Sequence, residues 1–245
     1  MRRVLFVWLG RPVHSYPAML YIGIVLGIYA QLGAAHALRL DVGRVLAATL
    51  LLLTSALLGA RLLHVAAHWP IYRAEPGRIL RFAEGGAAMY GGVLLAVPLS
   101  LPLLGLLGLP FGAFWDTASF TMLVGMIVTR AGCFLNGCCS GRPADGWWGV
   151  RLPDHRGVWR RRVPLQALEA AWGLAVLAGA CGVWSRRCGG GAVLLFTLGA
   201  YGAGRILLEP LRDETDRVTG MSVHRAISIG FVAVALGALL IAWLG

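Results

Sequence analysis

Lysine is absent from this 245-residue chain: all 22 basic residues are arginine. Charge of any kind is scarce, at 13% of residues, where a soluble domain carries about 25%. Only 11 residues are acidic, which leaves a formal net charge of +11. There is no linker, internal repeat or low-complexity tract, so a solenoid, a disordered chain and a string of domains are excluded. The five cysteines are odd in number and three of them cluster at Cys133, Cys138 and Cys139. That is not a disulfide framework. What remains is apolar: 58% of residues are hydrophobic and the mean hydropathy is +0.73. Composition alone gives an integral membrane protein, and the apolar spans below make it all-α and polytopic.

The exclusive use of arginine has two readings. A planar guanidinium grips phosphate or carboxylate through two parallel hydrogen bonds, which an ammonium does not. The arginines therefore suit anionic headgroups, or they reflect a genomic composition bias together with anchoring at membrane edges.

A span takes about 20 apolar residues. Seven stretches qualify, at 16–38, 45–69, 87–109, 114–135, 164–184, 191–211 and 221–244, read as one transmembrane domain over 1–245. Pro98 and Pro102 are expected to kink the third. Met1-Arg2-Arg3 followed by Val4 to Gly10 mimics a signal peptide. The apolar run is short, however, and Arg11 and His14 stand where small residues would precede cleavage. It reads as an interfacial segment. The longest polar connection, 141–163, holds Trp147-Trp148-Gly149, Asp154-His155 and Arg160-Arg161-Arg162. This suits an interfacial loop, with a lid or headgroup clamp as the other reading. About 17 arginines fall on one side of the seven spans, about 4 on the other, and Arg61 lies within the second span. A positive-inside count would make the rich side cytoplasmic.

Four motifs lie on that rich side. Glu84 to Gly92 brackets Tyr90 with paired glycines at the start of the third span. Glycine admits close backbone approach and helix starts offer free N–H groups to anions, but glycine-mediated helix packing accounts for the pattern equally well. The second motif, Thr129 to Arg142, interrupts membrane-depth apolar sequence with Arg130, Asn136, Gly137, Gly141, Arg142 and the three cysteines. Polar, irregular backbone at that depth must be buried in protein or line a cavity, and an arginine there is a site candidate. The cysteines are open to three readings: small-residue packing, a reactive thiol, or a metal site that would need further ligands. In the third motif, Pro164 opens a helix on which Gln166 and Glu169 share a face. Capping and interhelical hydrogen bonding are the alternative to a site role. The fourth spaces Tyr201, Arg205, Glu209 and Arg212 by four, four and three, one stripe of a helix. An Arg205–Glu209 pair would leave Arg212 free for an anion, although a structural ion pair is also possible.

In this order the motifs resemble the bacterial prolipoprotein diacylglyceryl transferase family, whose signature is Gly-Arg-x-Gly-Asn-Phe-x-Asn-Gly-Glu-x-x-Gly. Arg130, Gly132, Phe134, Asn136, Gly137 and Gly141 match it. Tyr16, Pro164, Gln166, Glu169, Tyr201, Arg205, Glu209 and Arg212 fall on the family's other motif residues. Three departures matter: a glycine-flanked histidine is Tyr90, an asparagine is Cys133 and a glutamate is Cys138. Tyrosine, with an ordinary pKa near ~10, is a poor base at neutral pH.

The resemblance implies transfer of a diacylglyceryl group from phosphatidylglycerol to a lipoprotein cysteine thiol. It also implies a site on the periplasmic face of the inner membrane, against the positive-inside count. Arg130, Arg205, Glu209, Tyr90 and Cys138 are then the candidate catalytic residues, with Cys138 a possible covalent nucleophile. Tyr16, Asn136, Gly141, Arg142, Gln166, Glu169, Tyr201 and Arg212 are candidates for substrate binding. Expected partners are the membrane, phosphatidylglycerol and a prolipoprotein signal peptide, with no nucleic acid, metal or cofactor. Transfer to another acceptor and non-catalytic phospholipid binding are the rival readings.

Overall fold

The computed structural model describes residues 2–79, 89–146, 148–153, 158–186, 190–213, 217–218 and 221–244. A hairpin of β1 (Val4–Trp8) and β2 (Arg11–His14) precedes α1 (Ser15–Ala37) and α2 (Val42–Ala67). After the short α3 (Trp69–Ala74) come α4 (Met89–Leu106) and α5 (Phe111–Asn136). A second hairpin, β3 (Val150–Pro153) with β4 (Trp159–Arg162), leads into α6 (Leu165–Ser185), α7 (Ala192–Leu208) and α8 (Val223–Leu244). A two-residue pair, β5 (Arg217–Val218) and β6 (Met221–Ser222), precedes α8.

Each of the seven apolar stretches becomes one long helix. Among the described residues, α1, α2, α5, α6 and the α7 segment through Leu211 are long and apolar enough to cross a membrane, and α4 and α8 contribute shorter apolar stretches. Outward-facing side chains are apolar, including Tyr21, Leu57, Leu94, Leu207 and Ile241. Such a surface is stable only in lipid. Pro98 and Pro102 lie inside α4.

The chain divides into two compact units, 35–114 and the remainder. In the smaller unit, α2 and α4 pack backbone to backbone: a Cβ on Gly59 would collide with the Gly91 carbonyl, and one on Gly92 would lie 2.8 Å from that of Ala56. Buried Arg61 on α2 donates to the carbonyls of Ile79 (3.0 Å) and Arg78 (2.8 Å), and its guanidinium lies 5.3 Å from the Tyr72 ring centre. An arginine inside an apolar helix is thus held by carbonyl oxygens and a π face.

In the larger unit, α1 and α5 approach closely. A Cβ on Gly23 would sit 3.0 Å from the Gly125 oxygen, one on Gly27 2.8 Å from that of Thr121, and one on Gly132 2.7 Å from Met19 Cβ. Small residues let membrane helices come this near, and a side-chain bond then adds specificity. Here Thr121 Oγ1 lies 2.9 Å from the Gly27 carbonyl and 2.8 Å from Gln31 Oε1. Phe120, Leu123, Val176, Ala180 and Val193 form a core between α5, α6 and α7, with Phe120 edge-on to Trp184. Asp116 on α5 caps α7, accepting from the backbone N–H of Gly191 (2.7 Å) and Leu194 (2.9 Å).

The N-terminal segment, expected to be merely interfacial, is a tight hairpin. Leu9 (φ 47°) and Gly10 (φ 77°) form its two-residue turn, because a positive φ at both places matches the strands' twist. Phe6, Val7 and Leu9 are exposed on it.

Candidate active site

The second motif is shaped by how α5 ends. Gly137 adopts φ 75°, its N–H reaches the Phe134 carbonyl at 3.2 Å, and the Cys138 N–H reaches that of Cys133 at 3.1 Å. This pair of bonds is the Schellman ending, which folds the second residue beyond a helix back over its last turn. Cys138 therefore returns to Cys133. Cys139 then takes φ 61°, unusual for a non-glycine residue. The three thiol sulfurs lie within 4.8 Å of one another, with Cys133 buried, Cys138 half-buried and Cys139 exposed. Hydrogen bonds with the Cys133 and Cys139 thiols favour the thiolate of Cys138 and hold its pKa below the ordinary thiol range. Asn136 is the last residue of α5 and half-buried. Tyr16, at the start of α1, is within electrostatic reach of the three thiols and of Arg130.

The third and fourth motifs meet around one carboxylate. Pro164 precedes α6, and its first turns bury Gln166 and Glu169. Gln166 Nε2 donates to the Cys138 carbonyl at 2.6 Å, tying α6 to the thiol loop. Glu169 Oε2 lies 2.9 Å from Arg130 Nε, while Oε1 accepts from Arg205 Nη1 at 2.9 Å and Arg212 Nη2 at 3.0 Å. Glu209 Oε2 accepts from Arg205 Nη2 at 3.2 Å and lies 3.8 Å from Arg212 Nε. Three guanidiniums facing two carboxylates leave one net positive charge in a buried place. An isolated buried charge costs several kcal/mol, so the arrangement persists only because every ion meets its opposite.

Two expectations are corrected. Arg212 is not free, because Glu169 binds it. Nor does the fourth motif form a single α-helical stripe: Tyr201 and Arg205 are on α7, Glu209 opens a 3₁₀ turn (Glu209–Leu211), and Arg212 is extended at φ −73°, ψ 148°. Pro210 lacks the N–H that would continue the helix. The chain instead pairs with the second motif through an antiparallel bridge, Gly141 to Arg212, with the Arg142 N–H on the Leu211 carbonyl at 2.9 Å. A Cβ on Gly141 would come within 2.6 Å of the Leu211 oxygen, so only glycine permits this approach. Gly141 and Arg142 thus contribute backbone, and the Arg142 side chain is exposed.

A small cleft opens beside this network, lined by Arg130, Glu169, Tyr201 and Arg205 with Met126, Trp172, Gly204 and Leu208. Trp172 Nε1 donates to the Ala200 carbonyl, and its indole lies where any side chain on Gly204 would have to be. The polar 141–163 connection contains the β3–β4 hairpin, anchored by Gly141 N–H on the Val163 carbonyl and Ser140 Oγ on the Pro153 carbonyl, both 3.0 Å. Its Arg162 pairs with Asp213 just beyond Arg212. Sequence reasoning passed over Trp172, Gly204 and Asp213, and took Arg162 only as part of the arginine run in the 141–163 connection. The side chain of Tyr90, at the start of α4, and residues Trp147, Asp154, His155 and Cys188 lie outside the described residues.

The arrangement is that of a membrane protein with a buried arginine–carboxylate cluster. Residues 3–243 match the family model of prolipoprotein diacylglyceryl transferase, and the chain belongs to that family. It is similar to the phosphatidylglycerol–prolipoprotein diacylglyceryl transferase of Symbiobacterium thermophilum, 28% identical over 94% of this chain and 88% of the relative. Proteins of the same name from Bacillus mycoides and Bacillus cereus are each 26% identical over 92% of this chain and 86% of theirs.

Proposed function

We propose that this multi-pass membrane enzyme transfers a diacylglyceryl group from phosphatidylglycerol to the cysteine thiol of a prolipoprotein, with Arg130, Arg205 and Arg212 as its phosphate grip. The observation that carries the residue assignment is the surplus positive charge around Glu169, buried beside the cleft. Met126, Trp172 and Leu208 give the cleft an apolar wall for the start of the acyl chains.

The reaction forms a sulfur–carbon bond and breaks the bond between the glyceryl carbon and the phosphate oxygen. The electrons of the broken bond go to the departing glycerol phosphate. Guanidiniums already fixed by carboxylates meet that developing charge without reorganising, which is how preorganised donors lower a barrier. Glu169 and Glu209 orient the arginines, and Tyr201 borders the headgroup. Tyr16 and Asn136 position donor and acceptor. A covalent route through Cys138 would leave a thioether, from which a thiolate must depart again. The incoming thiol therefore attacks the glyceryl carbon directly, its proton passing to solvent. The site faces the periplasm across the inner membrane, where the acceptor peptide emerges.

The test is purified protein in phosphatidylglycerol bilayers with a lipobox peptide, following glycerol-phosphate release and peptide mass. Release with peptide modification is expected. Release without it would indicate another acceptor. Phosphatidylglycerol binding that depends on Arg212, with no release, would mark a binding protein.

A further inference from the structure

We propose that Cys133, Cys138 and Cys139 form a trigonal three-thiolate site for a soft monovalent cation of the Cu(I) type. Thiolates select soft ions over calcium or magnesium, and a three-coordinate ion needs no ligand beyond the three sulfurs. Metal–sulfur bonds of about 2.3 Å place trigonal sulfurs about 4 Å apart, and the three here already lie within 4.8 Å of one another. Closing the set takes less than an ångström per pair.

The backbone, rather than chance side-chain drift, holds them together. The Schellman ending fixes Cys133 and Cys138 as a contacting pair, because the third residue from a helix end meets the second beyond it. The left-handed Cys139 then supplies the third sulfur, at a backbone conformation rare for a non-glycine residue. Gln166 anchors the loop from outside through the Cys138 carbonyl, as outer partners do at metal sites. Arg130 is within electrostatic reach of Cys133 and Cys139 and offsets the negative charge of three thiolates around one monovalent ion. Exposed Cys139 gives the ion a way in, and each protonated thiol surrenders its proton to solvent as its sulfur binds. A disulfide between adjacent Cys138 and Cys139 would be strained, which leaves metal coordination as the arrangement that uses all three.

The experiment titrates full-length, reduced protein in detergent against Cu(I) held by a chromogenic chelator, without oxygen. One Cu(I) per chain should be withdrawn, with an ultraviolet thiolate-to-copper band. Cys139→Ser, at an exposed position that does not endanger folding, should weaken binding on the order of 100-fold, at least as much as loss of an outer partner. Cys138→Ser should do the same, while a Cys181→Ser/Cys188→Ser protein should keep the site. Failure to withdraw Cu(I), or undiminished binding by Cys139→Ser, overturns the proposal.

Discussion

Asp116 and Glu169 are both carboxylates buried to within 5% of full burial, and they flank the same helix. Asp116 is satisfied by backbone N–H groups at the start of α7, where the helix dipole favours negative charge. Glu169 is satisfied by side chains: Arg205 near the end of α7, Arg130 from α5 and Arg212 from beyond the 3₁₀ turn. The first arrangement is closed, since amides bring no net charge that seeks a further partner. The second is open, because its cations outnumber its anions. Burial of a charge therefore says little about function. The partner's charge decides it.

Glu169→Gln should do most damage. It removes the carboxylate that holds Arg130 and leaves Arg205 and Arg212 to share Glu209, and transfer should fall by about 10²–10³-fold as preorganised electrostatics are lost. Breaking a buried ion pair should also cost about 3–5 kcal/mol of stability. Rates of glycerol-phosphate release and thermal melting in detergent measure the two effects. Arg212→Lys comes next. It keeps the charge but loses the planar fork, and turnover should drop about 10-fold or more with little change in melting. Gly204→Ala should push Trp172 aside at about 1–3 kcal/mol of overpacking, and the altered cleft should raise KM for phosphatidylglycerol more than it lowers kcat. Asp116→Asn should cost about 1 kcal/mol as a weakened cap while turnover per folded molecule stays level. Equal loss of turnover in Asp116→Asn and Glu169→Gln would abolish the distinction between closed and open sites. The smallest effect is expected for Thr121→Val, about 0.6 kcal/mol for one interhelical bond in a membrane, read as a small fall in melting temperature.

Much of the fold was legible because membrane helices announce themselves by length and polarity, and every apolar run became a helix with ends shifted by only a few residues. The hairpins were not legible. Arg160, Arg161 and Arg162 offer no apolar alternation to betray β4, and a leucine at the positive-φ position of the β1–β2 turn hides its turn chemistry. In the site, residue identity was readable but partnership was not. The four-residue spacing of Arg205 and Glu209 revealed that pair. Glu169, however, meets Arg205 across 36 residues and Arg212 across 43, so nothing local singled it out as the centre. Gly137 marked where α5 would end. No propensity rule would have put Cys139 in the left-handed region.

The seam between α1 and α5 also limits traffic. Ser15, Met19, Gly23 and Gly27 recur every fourth residue along α1, facing Gly132, Gly125 and Thr121 of α5. Twelve residues of helix rise make that zipper about 18 Å long, more than half of a ~30 Å hydrocarbon layer. Backbones in contact over such a length leave no gap for an acyl chain to slide through. A donor lipid arriving sideways from the bilayer must take another doorway to reach Arg130, and the diacylated product must leave by one too.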